Sequence, residues 1–236
     1  MQAKLTRSAG KGLVGLTLGA MLATASAGSA MAGDVSTLPQ NGAVAEAPFT
    51  GKAAGDFMVR ARLLGVVPNN GGSTSIGGHP DASNDIIPEV DFSYFVTDNI
   101  AVELIAGTSK HNVKAVGTAA GDIGLGSVKL LPPTLTAQYH FLPKERFSPY
   151  LGAGLNYTFF YDAKAPGGAI TDIKYDNNLG YALQAGVDYA VTPNVYLNLD
   201  VKKIFLKTDV SVNGGAVTAT ADLDPWLIGV GVGYKF

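Results

Sequence analysis

From Asp56 to the end of the chain, large apolar residues recur at every second position, in segments of roughly ten residues separated by glycine, asparagine, aspartate and proline. A period of two sends alternate side chains to opposite faces, which a helix does not do, so this rhythm restricts the chain to antiparallel β-structure. The closing stretch shows it most plainly. From Trp226 through Ile228, Val230, Val232 and Tyr234 to Phe236 every second residue is large and apolar, while Gly229, Gly231 and Gly233 lie between.

Seven further segments carry the same alternation: Asp56–Val67, Ile86–Phe95, Asn99–Ser109, Val128–Phe141, Tyr150–Phe160, Leu179–Val191 and Val195–Leu206. The connections alternate in length. Val96–Asn99, Leu142–Pro149 and Thr192–Asn194 are short, whereas Pro68–Asp85, Lys110–Ser127, Tyr161–Asn178 and the excursion around Asn213-Gly214-Gly215 are long and rich in Gly, Asn and Asp. Short turns at one end and long loops at the other are the build of an outer-membrane barrel. The fold expected for 56–236 is therefore all-β, an eight-stranded antiparallel transmembrane β-barrel with its short turns and both termini on the periplasmic side. A soluble barrel has the same alternation with the greasy face inside. Three features favour the membrane. The apolar faces are almost free of charge, aromatic residues recur near strand ends (Tyr94, Phe95, Tyr139, Tyr150, Tyr189, Trp226, Phe236), and the other face is too rich in Gly and charge for a dry core.

The start of the chain agrees with export. Lys4, Arg7 and Lys11 precede an uncharged apolar run from Gly12 to Thr24, and Ala30-Met31-Ala32 has the form of a signal-peptidase site, with Ala25-Ser26-Ala27 as an alternative cut. The run is too short for a membrane-spanning helix, which needs about 20 residues. Residues 1–32 read as a signal peptide and 33–55, small, polar and without periodicity, as a flexible periplasmic N-terminal tail. Removing the leader removes three of the 17 basic residues and none of the 19 acidic ones, leaving 14 against 19, a net charge of −5. That balance, with no basic run, argues against nucleic acid as a partner. Cysteine is absent, so no disulfide or thiolate site is available. His79, His111 and His140 lack the spacing of a metal site, no nucleophile elbow is present, and the Gly-x-Gly runs keep a strand's period. No cofactor, metal or enzymatic activity is expected.

The inward face has an order of its own. Arg60, Arg62, Glu89, Asp91, Glu103, Asp188, Asp200 and Lys202 lie toward the periplasmic end, and Leu64, Val66, Ile87, Leu130, Phe160, Ile204 and Leu206 toward the outside. Buried charges cost several kcal/mol each unless paired, so the first set is expected to form one network. In a barrel of eight strands such a layer closes the lumen. The apolar set is a candidate chamber above it. Pro88, Pro132, Pro133 and Pro225 fall within strands at the outer halves, where each removes a ladder donor. They are candidates for a lateral portal, or serve only to bend strands and limit aggregation.

Three stretches carry a resemblance. Leu131-Pro132-Pro133-Thr134-Leu135-Thr136-Ala137-Gln138-Tyr139-His140-Phe141, Pro149-Tyr150-Leu151-Gly152-Ala153-Gly154-Leu155-Asn156-Tyr157-Thr158 and the closing Asp224-Pro225-Trp226 to Phe236 together resemble the OmpW family of outer-membrane proteins, over about Asp56 to Phe236. The resemblance implies an eight-stranded barrel with a largely hydrophobic interior, proposed to admit small hydrophobic molecules and release them sideways into the membrane. Alkane-uptake proteins belong to the family. The partners expected are outer-membrane lipid, a small hydrophobic ligand and the barrel-assembly machinery, read through the terminal Phe236. The alternative is a barrel that transports nothing and serves envelope stability or recognition by phage or bacteriocins.

Overall fold

The computed structural model describes residues 48–236; the expected leader 1–32 and the tail as far as 47 lie outside the described residues. Among the described residues fifteen strands form: β1 (Phe57–Val67), β2 (Gly71–Thr74), β3 (His79–Ala82), β4 (Asp85–Phe95), β5 (Ile100–Gly107), β6 (Ser109–Thr118), β7 (Gly121–Leu131), β8 (Thr134–His140), β9 (Phe147–Lys164), β10 (Ile173–Tyr175), β11 (Asn178–Ala190), β12 (Val195–Phe205), β13 (Lys207–Val212), β14 (Val217–Asp222) and β15 (Trp226–Lys235). Eight of them, β1, β4, β5, β8, β9, β11, β12 and β15, close an antiparallel barrel in that order. Closure leaves no edge unpaired in hydrocarbon, which is what allows a sheet to cross a membrane.

The alternation determines the two surfaces. Leu63, Val90, Phe92, Leu104, Leu135, Leu155, Leu183, Leu199 and Val230 stand exposed on the outside, while Arg60, Asp91, Glu103, Asn156 and Asp200 are buried inside. Phe95 and Tyr150, expected among the interfacial aromatics, are buried in the lumen. Their phase matches Asp91 and Gly152, and phase prevails over aromatic character.

The long connections are not irregular loops. They form strands that extend the wall outward: β6 and β7 continue from β5 and into β8, β3 pairs with β6, and β10, β13, β14 and β2 make a second sheet. Ser109, His111, Val113 and Ala115 keep the inward phase, whereas the outward residues change to Lys110, Asn112 and Lys114. An outer face that turns from apolar to charged marks strands that have left lipid for water. Val113, Leu125, Val128, Ile173, Val210 and Val212 fill this crown with its own apolar core.

The last part of the expected flexible tail is also built in. Gly51 and Lys52 are buried at the periplasmic mouth. The Lys52 amide donates to Pro143 O at 2.7 Å, and Lys235 Nζ reaches Gly51 O at 2.7 Å. Only glycine suits position 51, because φ is +69° and a Cβ would meet Pro143 O and Lys144 Cα at 2.5 Å. Beside this segment Met58, Phe95, Ala101, Ala190 and Tyr196 form an apolar bottom layer against which Phe49 packs.

Candidate functional site

The charged residues are brought into one layer by register. On β1 and β4, Arg60 stands opposite Asp91 and Arg62 opposite Glu89. Arg60 Nη1 lies 2.7 Å from Asp91 Oδ1, and its Nη2 lies 3.0 Å from Asp188 Oδ2 across the lumen. Arg62 Nε donates to Glu89 Oε1 at 2.7 Å, and its Nη2 lies 3.0 Å from Asp91 Oδ2. Glu103 lies 3.4 Å from Arg60 and 3.5 Å from Arg62, Asp200 Oδ1 is 3.8 Å from Arg62, and Lys202 Nζ is 3.6 Å from Asp200. All eight residues expected in the layer are in it, and all are buried.

The sequence reading missed the neutral and basic groups that complete the layer. Thr136 and Gln184 donate to Glu103 Oε2 at 2.9 and 3.0 Å, while the Tyr150 hydroxyl and Gln184 Nε2 each donate to Asp200 Oδ2 at 2.7 Å. Lys52 enters from the tail and lies 2.7 Å from Asp188 Oδ2 and 3.0 Å from both Ser148 Oγ and His140 Nδ1. Burial pulls the Lys52 ammonium down from its ordinary 10.5 to about 8, against the opposing pull of Asp188. Inward phase marks Thr136, Tyr150 and Gln184 as lumenal; nothing periodic marks Lys52.

Room for the arginines comes from the closing strand. Arg60, Arg62 and Leu64 pair with Gly233, Gly231 and Gly229 of β15. A Cβ at Gly233 would stand 3.0 Å from Arg60 Cγ, and one at Gly231 would collide with Ala61 O and the Arg62 stem.

Above the layer the lumen opens into an apolar chamber. All seven expected residues line it, Leu64, Val66, Ile87, Leu130, Phe160, Ile204 and Leu206, joined by Ile105, Leu125, Val128, Leu223 and Leu227. Glu89 and Lys202 form part of its floor. The space open to the centre of a water-sized sphere is about 80 Å³, several times the 10–15 Å³ that one water needs.

Three of the four candidate portal prolines converge. The β5–β8 ladder stops at Ile105↔Thr134 and the β6–β7 ladder begins at Ser109↔Leu130, so Ala106 to Thr108 face Leu131, Pro132 and Pro133 without a registered pair. Pro88 adjoins the same joint, one residue beyond the last β4–β5 pair, Glu89↔Gly107. The Pro132-Pro133 carbonyls are held from the other side, by Asn156 Nδ2 at 3.2 Å and the Tyr157 amide at 3.1 Å. Pro225 does not join them. It lies at the head of β15, separated from this joint by β1 and β4, where its carbonyl accepts from the Ile204 amide at 3.1 Å.

The family model described as OmpW family matches residues 53–236. The chain belongs to the OmpW family. Among the relatives of this OmpW-family chain, the outer-membrane protein y4mB of Sinorhizobium fredii (strain NBRC 101917 / NGR234) is 48% identical over 200 residues, covering 80% of this chain and 85% of the relative. The dibenzothiophene metabolism operon protein PahQ of Pseudomonas aeruginosa is 33% identical over 165 residues, 68% of this chain and 76% of that protein. The crystal structure of the outer-membrane protein OprG from Pseudomonas aeruginosa superposes with a TM-score of 0.75 at 29% identity, covering 80% of this chain and 99% of that one. This OmpW-family barrel thus resides in the outer membrane of a Gram-negative bacterium, its apolar outer face in lipid.

Proposed function

We propose that this barrel admits small hydrophobic molecules from outside into the apolar chamber and releases them sideways into the membrane, without enzymatic chemistry. The observation that supports the reading most is the chamber's position, lined by apolar side chains, directly above a cross-linked charged floor. A molecule that enters it meets a floor that hydrocarbon does not cross, because breaking buried ion pairs costs several kcal/mol. The wall beside the chamber is weaker. At the joint of β5 and β6 with Pro132-Pro133, ladder bonds worth about 0.5–1.5 kcal/mol each are missing, and Pro132 lines the chamber. The name of PahQ places that relative in an operon for dibenzothiophene metabolism, and dibenzothiophene is an apolar aromatic of the kind such a chamber accepts.

Recognition of a phage, bacteriocin or other surface partner is the second reading, favoured by the ordered crown of outer strands with its polar exterior. Recognition needs no cavity beneath the crown.

The test is uptake of dibenzothiophene by cells that express either the native barrel or Pro132→Val with Pro133→Val. Restoring the ladder is expected to lower uptake several-fold while the protein still folds and shifts on heating in SDS. Unchanged uptake by a well-folded variant sinks lateral release, and no uptake above barrel-free cells sinks the conduit.

A further inference from the structure

The chamber is not uniformly greasy. Lys202 is 1% exposed and is among the residues that line the chamber floor. Among the described residues no protein group hydrogen-bonds its Nζ, the nearest carboxylate oxygen being Asp200 Oδ1 at 3.6 Å. Even with Asp200 counted as a partner, two of the three ammonium donors have none. A buried charged donor without acceptors is costly, and a ligand that brings one is held by that much more strongly. Tyr175 is a second such donor. Its hydroxyl is buried without a partner among the described residues, Tyr175 lines the chamber, and its ring stacks on Phe160 with centroids 5.6 Å apart.

Charge in the layer narrows what the acceptor is. Lys52, Arg60, Arg62 and Lys202 supply four positive charges, against five carboxylates on Glu89, Asp91, Glu103, Asp188 and Asp200. The floor is already one negative charge in excess. A ligand carboxylate would add a second beside Glu89 and Asp200, whereas a neutral carbonyl or hydroxyl oxygen satisfies the ammonium without adding charge.

We infer that the chamber selects apolar molecules bearing one neutral oxygen acceptor, a ketone, ester or alcohol, bound with the oxygen on Lys202 Nζ and the hydrocarbon among Leu64, Ile87, Phe160, Ile204 and Leu206. This rests on the conduit reading and assigns its substrate class. Lys202 then orients the ligand, polar end down.

The experiment uses the full barrel in lipid nanodiscs and three photoreactive probes that share one chain with a diazirine at its middle. One is a plain hydrocarbon, one a methyl ketone and one a carboxylic acid. Crosslinks are mapped to residues by mass spectrometry at equal probe concentration in the lipid. The ketone is expected to label the chamber about tenfold more than the hydrocarbon, the worth of one hydrogen bond to a charged group, and at least as strongly as the acid. In Lys202→Met that ratio falls to about one. Equal labelling by ketone and hydrocarbon in the native barrel overturns the assignment, as does stronger labelling by the acid or a preference that survives Lys202→Met. The native ratio decides even where Lys202→Met does not assemble. Hydrocarbon uptake by cells without a ketone preference leaves the conduit standing and removes Lys202 from it, whereas a chamber that no probe labels, with no uptake, overturns both.

Discussion

Lys52 Nζ lies 2.7 Å from Asp188 Oδ2 although 136 residues separate them in sequence. The contact pins the segment before β1 into the periplasmic mouth and gives Asp188 a second cation besides Arg60. The same ammonium stands 5.8 and 5.6 Å from the centroids of Phe95 and Tyr196, so it is dehydrated as well as paired.

Its pH dependence runs opposite to that of an ordinary ion pair. With the docked pKa lowered to about 8 from 10.5, docking is strongest at high pH, where the amine is neutral in both states, and is weakened as pH falls from 10.5 to 8, with no further loss below that. Between pH 8 and 10.5 the gain is on the order of 3 kcal/mol. The chain has no cysteine, so a spin label at Ala54→Cys, an exposed site, reports this segment alone. Its motion is expected to slow from pH 7 to pH 10, and faster motion at pH 10 contradicts the assignment.

Arg62→Met strands Glu89 within the layer and leaves Asp91 with Arg60 as its one cation. Removing one partner of a buried ion pair costs about 3–5 kcal/mol, read as a lower temperature of barrel unfolding in SDS gels. Adding Glu89→Gln recovers part of the loss, because the two residues share a bond of 2.7 Å.

At the seam, Gly231→Val is expected to abolish the heat-shifting folded band, because even the first added carbon collides with Ala61 O, a backbone atom. Gly229→Ala is expected to fold. Its Cβ would meet Leu64 Cδ1 at 3.1 Å, the end of a side chain that can turn aside.

Across the proline joint the Thr108 Oγ1 and Tyr161 hydroxyl oxygens lie 2.5 Å apart, tying the β5–β6 junction to β9 on the outer surface. Tyr161→Phe removes that tie and leaves the ring. Loss of one hydrogen bond of about 1 kcal/mol is expected to raise the rate of hydrophobic uptake by up to about fivefold, measured in the same cells as the proline variants. A slower rate would show that the tie supports the exit and does not restrain it.

How much was readable follows from which physics writes each feature. Phase alone put Arg60, Arg62, Glu89 and Asp91 on the inward face and Leu64, Ile87 and Ile204 above them, because a strand has only two faces. Phase also puts Phe95 and Tyr150 inside, where aromatic character alone points to the interface, and the structure follows phase. The pairing of Arg60 with Asp91 depends on register, which two neighbouring strands decide together. The crown was hidden by composition: Gly, Asn and Asp in Lys110–Ser127 look like loop, yet His111, Val113 and Ala115 keep the strand's rhythm, while in β7 a register shift sets the buried Leu125 and Val128 three residues apart. Lys52 left no trace. A single residue held by tertiary contacts in a stretch without periodicity is invisible to pattern.

The stripe of Gly229, Gly231 and Gly233 against Arg60 and Arg62 also bears on the order of folding. β1 and β15 are the farthest apart in sequence of any paired strands, so theirs is the loop closure with the greatest entropic cost and the last expected to form. Until it forms, one flank of both arginines stays uncovered. Burial of the charged layer is therefore coupled to completion of the wall, and a barrel that fails to close its seam carries an unsheathed cationic edge that water, and not lipid, will retain.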